Sequence, residues 1–378
     1  MRIAVNTRLL LPEKLEGIGW FAHETLSRIV RQHPEHAFHF IFDRRPDQRF
    51  IYGSNVHAHV LWPPTRHPLL YVLWFEYRLP ALLRKLKVDA FLSPDGYLST
   101  RTDVPQLAVM HDLNFEHYPN DLPGAYSNYY RKWFPRFAEK AARLVTVSNF
   151  SKQDIHRRYG VPPEKIDVAH NGVADVYTPC SADEQAATRA SIAGGDPYFI
   201  CVGSLQPRKN IARLLLAFDA LVQSDAAPLK LVIVGEAFWW DTRMKQAWDK
   251  VRNKDRVVFT GRLGQGALRN AIGGALALAY ISYFEGFGIP VAEAMKCGVP
   301  VLAAQASSLP EVAGDAAVYC DPFNVESITD GLAQLRNGGA LRIRLAQAGI
   351  ARAQRFTWDH TAQQLWASFE RMMSERKH

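Results

Sequence analysis

Two glutamates eight positions apart mark the segment of the sequence with the most specific chemical content. Glu285 and Glu293 enclose Gly-Phe-Gly-Ile-Pro-Val-Ala, where a predicted strand gives way to a predicted helix. Gly286 and Gly288 allow a tight turn, and the amides of the following helix N-terminus form a natural anion site. We therefore predict that Glu285 lies in a loop beside the reacting group and that Glu293, about one turn into the helix, accepts hydrogen bonds from hydroxyl groups. Alternatively, Glu293 only complements the helix dipole and Glu285 is a solvated loop residue.

A short cationic loop is the second candidate. Arg208 and Lys209 lie within Gly203–Asn210, between a predicted strand and a helix predicted to begin at Ile211. A forked guanidinium and a compact ammonium together suit a diphosphate, whose charge they would neutralise as it leaves. Taken in isolation, a Pro-Arg-Lys-Asn segment is more often an ordinary surface loop.

A Gly-x-Gly loop follows the first predicted strand and admits two interpretations. Gly17 and Gly19 allow the backbone to approach a sugar or phosphate group closely. The same spacing begins a nicotinamide dinucleotide fingerprint, but Ala22 stands in place of its third glycine, and Asp43 is the only acidic residue near the end of a second strand. The fingerprint is incomplete, so an oxidoreductase is the less favoured alternative.

His111 and Asp112 end another predicted strand of the first half of the chain. Because ligands gather at the carboxyl ends of such strands, we predict that His111 donates to a hydroxyl group or stabilises the reacting centre, with Asp112 orienting its ring. The alternative is a structural histidine, which the presence of thirteen histidines makes equally reasonable.

The elements that would position these residues alternate between strand and helix through both halves of the chain. Predicted strands lie at 2–10, 37–42, 90–92, 106–110, 144–147 and 166–169, and then at 198–202, 229–234, 257–260, 275–281, 299–303 and 316–319. This alternation predicts an α/β protein with two Rossmann-like, doubly wound parallel sheets facing across a cleft. We place the domains at 1–178 and 195–355, with a linker within 174–197 and a C-terminal helix at 356–378 that crosses back to the first domain.

The composition limits the classes of binding partner and of cellular compartment. The 378 residues carry a net charge of +8, which suits anionic ligands or surfaces, while the absence of any nucleic-acid motif argues against DNA or RNA. The four cysteines are scattered, so we predict neither a zinc site nor a disulfide framework, and a reducing compartment. No apolar run approaches the roughly 18 residues of a membrane span, so we expect a cytoplasmic protein.

Together these segments resemble the retaining glycosyltransferases of family 4, which have the two-domain GT-B fold. The resemblance covers essentially the whole chain, and its most specific part is the E-x7-E segment within FEGFGIPVAEAMKCGVPV. The other matching segments are the Pro-Arg-Lys-Asn loop, Gly17–Gly19, His111-Asp112, Ser148 with Ser151, and Asn171-Gly172-Val173.

The resemblance implies a role for each matching residue. Arg208 and Lys209 would bind the donor diphosphate, Glu285 the transferred sugar and Glu293 the ribose. The other implied donor contacts are the amides of Phe287 and Gly288 at the phosphates, Val258 and Leu263 around the base, His111 near the reacting face of the sugar, and Gly17 and Gly19 from the opposing domain. One position departs from the pattern: many members carry Arg where this chain has Ser204, and Arg208 would supply that charge.

The expected reaction is transfer of a hexose from a nucleotide sugar, with GDP-mannose as the first choice of donor and a UDP-sugar as the second, to a saccharide or lipid-linked saccharide. Family resemblance implies retention at the anomeric carbon, and without an evident carboxylate nucleophile we expect a front-face route. No Asp-x-Asp motif is present, so we predict no metal and no cofactor. The competing hypotheses are a nucleotide-sugar epimerase of the same fold, a nicotinamide oxidoreductase and an inactive binding module.

Two segments that combine aromatic and basic residues are candidates for contact with the inner face of a membrane. The first, residues 62–86, combines Trp62, Tyr71, Trp74, Phe75 and Tyr77 with basic residues that include Arg66, and the second is 126–143. Either could touch an anionic membrane or a lipid-linked acceptor. The slightly favoured alternative is a buried helix with basic flanks.

Overall fold

Two parallel β-sheets, each flanked by helices, organise the chain. The computed structural model describes residues 1–12, 15–65, 67–224, 227–236 and 240–375. The chain divides into a first unit of Met1–Gly172 with Thr357–His378 and a second unit of Val173–Phe356. Of the predicted residues, Arg66 and the last three of the C-terminal helix lie outside the described part.

The first unit contains a seven-stranded sheet. Its strands are β1 (Arg2–Asn6), β2 (Ala37–Phe42), β3 (Val56–Val60), β4 (Ala90–Ser93), β5 (Gln106–Val109), β6 (Arg143–Thr146) and β7 (Ile166–Val168), in the order β3-β2-β1-β4-β5-β6-β7. All neighbours are parallel; Val5 of β1, for example, pairs with Phe40 of β2 and Leu92 of β4. The helices are α1 (Gly17–Gln32), α2 (Pro68–Leu73), α3 (Leu79–Leu86), α4 (Asn114–His117), α5 (Gly124–Lys140) and α6 (Asn149–Tyr159), with a π-helical turn at Trp74–Arg78.

The second unit repeats the pattern with six strands. These are β8 (Tyr198–Val202), β9 (Lys230–Val234), β10 (Val257–Gly261), β11 (Ala277–Tyr280), β12 (Val301–Ala304) and β13 (Ala317–Cys320), in the order β10-β9-β8-β11-β12-β13 and again parallel. Its helices are α7 (Ala182–Ala193), α8 (Ile211–Ser224), α9 (Thr242–Lys250), α10 (Gln265–Gly273), α11 (Ile289–Lys296), α12 (Leu309–Ala313), α13 (Val325–Asn337) and α14 (Gly339–Ala353).

Strand burial explains why the central strands were recognisable in the sequence. Both faces of a doubly wound sheet are covered by helices, so its inner strands are continuous apolar runs. β8 and β11 are buried along their whole length, and Leu214 and Phe218 of α8 pack into the same core. The strand order reverses at β1/β4 and at β8/β11, and the loops beyond these switch points are where ligands bind in such folds.

The last helix, α15 (Trp358–Glu375), packs on the first unit. Asp359 accepts from Arg28 of α1 at 2.6 Å, and Ser368 donates to Asp167 of β7 at 2.7 Å. The apolar face of this helix is buried, with Leu365 and Phe369 fully enclosed.

Two local predictions were wrong. The Gly17–Gly19 segment is not a loop, because both glycines lie in the first turn of α1. The segment predicted as linker contains α7, which alanines favour and which begins with a capping box between Ser181 and Glu184.

The domain boundary also differs from the predicted residue 178. Residues 173–178 belong to the second unit, where the Lys296 ammonium on α11 donates to the carbonyls of Val173 and Ala174 and to Asp175. Among the described residues, none of the helices is both long and apolar enough to cross a bilayer.

Candidate functional site

The loops after β8 and β11 bring the three predicted charged residues together at the switch point of the second sheet. Arg208 and Lys209 lie in a short 3-10 turn after β8, and Glu285 follows β11. The Glu285 Oε2 atom lies 2.6 Å from the Arg208 guanidinium, and Oε1 lies 2.7 Å from the Lys209 ammonium. Two motifs that are far apart in the sequence therefore meet at one carboxylate, which is held between two cations.

This cluster has unusual electrostatics because it is buried. Burial raises the pKa of Glu285, but the charges of Arg208 and Lys209 outweigh it and lower the pKa to about 2. Burial lowers the pKa of Lys209, while the carboxylate opposes that change. Glu285 is therefore ionised at any physiological pH, and the two cations form a region of concentrated positive charge.

Tyr280, the last residue of β11, completes the cluster and was not among the predicted residues. Its hydroxyl accepts from Lys209 at 2.6 Å and donates to Glu285 Oε1 at 3.0 Å, and burial holds its pKa well above the usual value. The available signal was its position at the carboxyl end of the strand that precedes Glu285. A tyrosine ending an otherwise apolar strand is readily taken for a core residue.

Asn210 anchors the cationic loop to its neighbours. Its backbone is left-handed, with φ of 62°, and its buried amide donates to the carbonyls of Ile281 and Pro322. This explains why an asparagine follows Lys209, since asparagine tolerates that backbone conformation and supplies two donors.

The turn after Glu285 is held by two serines that sequence reasoning missed. Ser307 accepts from the Glu285 amide at 3.0 Å, and Ser308 donates to the carbonyls of Glu285 and Phe287. Gly288 has φ of +99°, and a Cβ there would lie 2.6 Å from Leu309. Phe287 is buried edge-on against Phe356. Gly288 is the N-cap residue of α11, so this glycine of the motif is required by the left-handed backbone conformation at the start of the helix.

Glu293 is separate from this charged cluster. It is the fifth residue of α11, half-buried, and it interacts with the hydroxyl of Tyr177, another residue missed by sequence reasoning. Burial raises the pKa of Glu293 to about 7, although the Tyr177 hydroxyl partly offsets the rise. The two glutamates of the motif thus have opposite electrostatics: one is always ionised, and the other titrates near neutrality.

The remaining predicted residues of the second unit lie at different positions relative to the carboxyl ends of the strands. Ser204 is half-buried in the loop that follows β8, beside Gly203, whose φ is +141°. Val258 is the second residue of the edge strand β10, whereas Leu263 lies just beyond the carboxyl end of that strand. Of these two, Leu263 has the position expected of a ligand contact.

His111 lies at the carboxyl end of β5 in the first unit. Its Nε2 atom is 2.8 Å from the carbonyl of Pro94, and its ring meets Phe21 edge-on. Burial lowers its pKa, although contacts with Pro94, Asp112 and Asp95 partly offset this. The prediction that Asp112 orients the ring was wrong: its carboxylate accepts from the amide of Asn114, the first residue of α4, and the Pro94 carbonyl is the orienting partner.

The two glycines of α1 differ in what requires them. A Cβ on Gly19 would lie 3.1 Å from both the Leu9 carbonyl and a Leu15 methyl group, so close packing explains this glycine. A Cβ on Gly17 would meet no atom of the described residues within 4 Å, so their packing does not explain that glycine. Asp43, the acid that a dinucleotide fingerprint would need, is engaged by Arg44 and by the amide and hydroxyl of Thr65.

Two further matching segments have structural roles. Ser148 caps α6 by accepting from the Ser151 amide, and the Ser151 hydroxyl donates to the backbone carbonyl of His111. Gly172 lies directly against the Trp358 backbone, where a Cβ would clash with the first turn of α15.

Two protein-family models match the chain. The model described as Glycosyltransferase Family 4 matches residues 15–176, and the one described as Glycosyl transferases group 1 matches residues 183–352. The chain is 29% identical over 363 residues to the O-antigen chain mannosyltransferase B of Escherichia coli, covering 93% of this chain and 94% of that protein. It is 27% identical to the O-antigen chain mannosyltransferase RfbU of Salmonella typhimurium, covering 70% of this chain and 74% of the relative.

Solved structures agree with the fold. HepE from Anabaena in complex with UDP-glucose superposes with a TM-score of 0.76 at 18% identity, covering 98% of this chain and 99% of that one. Sucrose-phosphate synthase from Thermosynechococcus elongatus gives a TM-score of 0.76 at 17% identity and covers 99% of both chains. These likenesses confirm the predicted GT-B fold.

Proposed function

Because the chain belongs to glycosyltransferase family 4, we propose that it transfers mannose from GDP-mannose to a saccharide or lipid-linked saccharide, with retention of anomeric configuration. The two O-antigen chain mannosyltransferases support the choice of mannose. The UDP-glucose complex of HepE makes a UDP-sugar the second choice.

The observation that carries the proposal is the Arg208–Lys209–Glu285 cluster at the β8/β11 switch point. A nucleoside diphosphate leaving group develops negative charge, and preorganised cations in a buried site stabilise that charge far better than water does. Arg208 and Lys209 would bind the diphosphate, while Glu285 would accept a hydrogen bond from the transferred sugar. No metal is needed for this role, since the two side chains supply the positive charge.

Retention follows from a front-face route in this proposal. A double displacement needs a carboxylate free to attack the anomeric carbon. Glu285 is a weak nucleophile because two cations and the Tyr280 hydroxyl already engage its oxygens. We therefore propose that the leaving phosphate accepts the proton of the acceptor hydroxyl. Glu293 would accept from ribose hydroxyls, as the family resemblance implies.

The remaining predicted contacts belong to the same proposal. Phe287 and Gly288 would approach the phosphates, Leu263 and Val258 the base, and His111, Gly17 and Gly19 would contribute from the first unit. A nucleotide-sugar epimerase is not favoured, because both mannosyltransferase relatives are transferases.

We further propose that the first unit contacts an anionic membrane through an exposed apolar stripe. Leu69, Leu73 and Tyr77 follow one another at four-residue spacing and are 73%, 41% and 51% exposed. Trp62 is 63% exposed, and the exposed basic residues Arg78, Arg84, Lys85 and Lys87 follow along the chain. Apolar side chains with adjacent cations are the composition of interfacial helices. In the second segment, residues 126–143, Tyr129 is buried in the core, which favours its structural interpretation.

Product analysis tests the reaction. Purified protein would be incubated with GDP-mannose and a mannose-terminated lipid-linked saccharide in the presence of chelator, and the product examined by NMR. The proposal predicts an added α-mannosyl residue. Interconversion of the nucleotide sugar without transfer would instead identify an epimerase, and turnover that needs added magnesium would contradict metal independence.

A further inference from the structure

A buried ion pair lies at the other switch point, beyond the carboxyl ends of β1 and β4. The Arg8 guanidinium lies 2.7 Å from Asp95, and the two side chains are 6% and 4% exposed. Arg8 is also enclosed by aromatic rings, with its guanidinium carbon 4.1 Å from the centre of Tyr97 and 5.1 Å from that of Tyr71. Of these residues, the sequence pointed only to Tyr71, as part of the aromatic segment 62–86, whereas Arg8, Asp95 and Tyr97 belong to none of the motifs.

Buried ion pairs are poor stabilisers, since the cost of removing two charges from water cancels most of their attraction. Their contribution to conformational specificity, the selection of one arrangement of the chain, is better supported than their contribution to stability. Asp95 is well suited to that task, because its carboxylate accepts from the Asn6 amide at 2.7 Å, the Ser93 hydroxyl at 3.0 Å and the Tyr97 backbone amide at 3.4 Å, besides Arg8. It joins the end of β1 to the turn after β4.

That turn carries the carbonyl that binds His111. Pro94 immediately precedes Asp95, and its carbonyl lies 2.8 Å from His111 Nε2. A carbonyl oxygen can only accept, so Nε2 must carry the proton. Among the described residues, the Nδ1 atom of His111 makes no hydrogen bond, so in the neutral ring it is an available acceptor.

We infer that Asp95 is a positioning residue that, through the Pro94 carbonyl, holds His111 as the Nε2–H tautomer with Nδ1 ready to accept a hydrogen bond from a substrate hydroxyl group. This rests on the proposed glycosyl transfer and reverses one expectation from the sequence, that His111 donates to the sugar. A deoxy sugar at the contacted position would lose the hydrogen bond and be a poorer substrate, by about 10-fold.

The test uses the full chain labelled with ¹⁵N-histidine. Long-range ¹H–¹⁵N spectra at pH 7, with His111→Ala identifying the signal, are expected to show protonated Nε2 and unprotonated Nδ1. Asp95→Asn places an amide where the surrounding groups are donors, so we expect mixed tautomers and a kcat lower by about 10- to 100-fold, with the donor KM within about twofold. Asn6→Ser, which removes one donor to Asp95, is expected to act in the same direction more weakly and serves if Asp95→Asn does not fold.

Glu76→Gln is the matched control. Glu76 is another buried carboxylate of the first unit, 3% exposed and bound to Thr100, remote in its contacts from Pro94. It should lower thermal stability without changing the His111 tautomer or kcat. A protonated Nδ1 in the wild-type chain overturns the inference, as does an Asp95→Asn variant with the same tautomer and kcat as Glu76→Gln. The spectra need no substrate, so they decide the tautomer even if GDP-mannose proves not to be the donor.

Discussion

Glu285 should oppose nucleotide binding while supporting turnover. Its carboxylate oxygens pair with the two cations that would bind the diphosphate, 2.6 Å from the Arg208 guanidinium and 2.7 Å from the Lys209 ammonium. Replacing it with glutamine leaves two buried positive charges without their counter-charge. Removing one partner of a buried pair costs about 3–5 kcal/mol, which corresponds to a fall in Tm of roughly 10 °C for a protein of this size.

The diphosphate of GDP would restore the missing negative charge. We therefore expect Glu285→Gln to bind GDP at least as tightly as the wild type, and to gain more Tm from saturating GDP. In contrast, kcat should fall by about 100-fold or more, because the sugar contact and the ionised carboxylate are lost. The assays are thermal unfolding with and without GDP, calorimetric titration and steady-state kinetics.

Glu293→Gln provides the control, because it changes the other glutamate of the motif in the same way. Within the described part of the chain, Glu293 forms no ion pair and its pKa is raised by burial, so its substitution should not lower the Tm at neutral pH. If Glu285→Gln lowers the Tm by less than about 2 °C and GDP stabilises this variant and the wild type equally, the two cations do not depend on Glu285 and the reasoning is wrong.

Three other changes test separate parts of the structure. Tyr280→Phe removes an acceptor for Lys209 and a donor to Glu285 (about 1–3 kcal/mol of stability); an unchanged Tm in thermal denaturation would show that the hydroxyl contributes nothing. The pKa of Glu293 is raised from 4.5 to about 7 by burial, so its ionisation destabilises the fold as pH rises through that window; chemical denaturation should show that Glu293→Gln removes this part of the pH dependence, and an identical pH profile would contradict the assignment. Gly172→Ala forces a Cβ against the Trp358 backbone and should destabilise the chain by about 2 kcal/mol or more. Gly124→Ala, where a Cβ meets no described atom within 4 Å, should be neutral, and equal unfolding midpoints for both would refute the packing argument.

Much of the fold was predictable because its signals are local. Buried parallel strands such as β8 and β11 appear as short apolar runs, and the E-x7-E and Pro-Arg-Lys-Asn segments follow them directly. The alternation of strands and helices then gives the fold class. α7 was missed because loop-like residues at both ends obscured a good capping box.

The site was less predictable wherever a residue acts through a distant partner. Arg208 and Glu285 could be identified separately, but their direct ion pair depends on the β8/β11 pairing, which no local pattern contains. Tyr280 and Ser308 resemble core and loop residues until the fold brings them to Glu285. Asp112 was assigned to His111 only because it is adjacent in sequence, whereas the orienting carbonyl comes from Pro94, seventeen residues earlier.

Calorimetric titration of GDP-mannose without metal, comparing wild type with Lys209→Ala, tests the central claim most directly. Lys245→Ala, at an exposed position of α9, is the matched control. A charge-assisted contact to the diphosphate is worth about 1.5–3 kcal/mol, so Lys209→Ala should weaken binding by about 10- to 100-fold while the control binds like the wild type. If both variants bind GDP-mannose as tightly as the wild type, the Arg208–Lys209–Glu285 cluster is not the diphosphate site and the proposed mechanism fails.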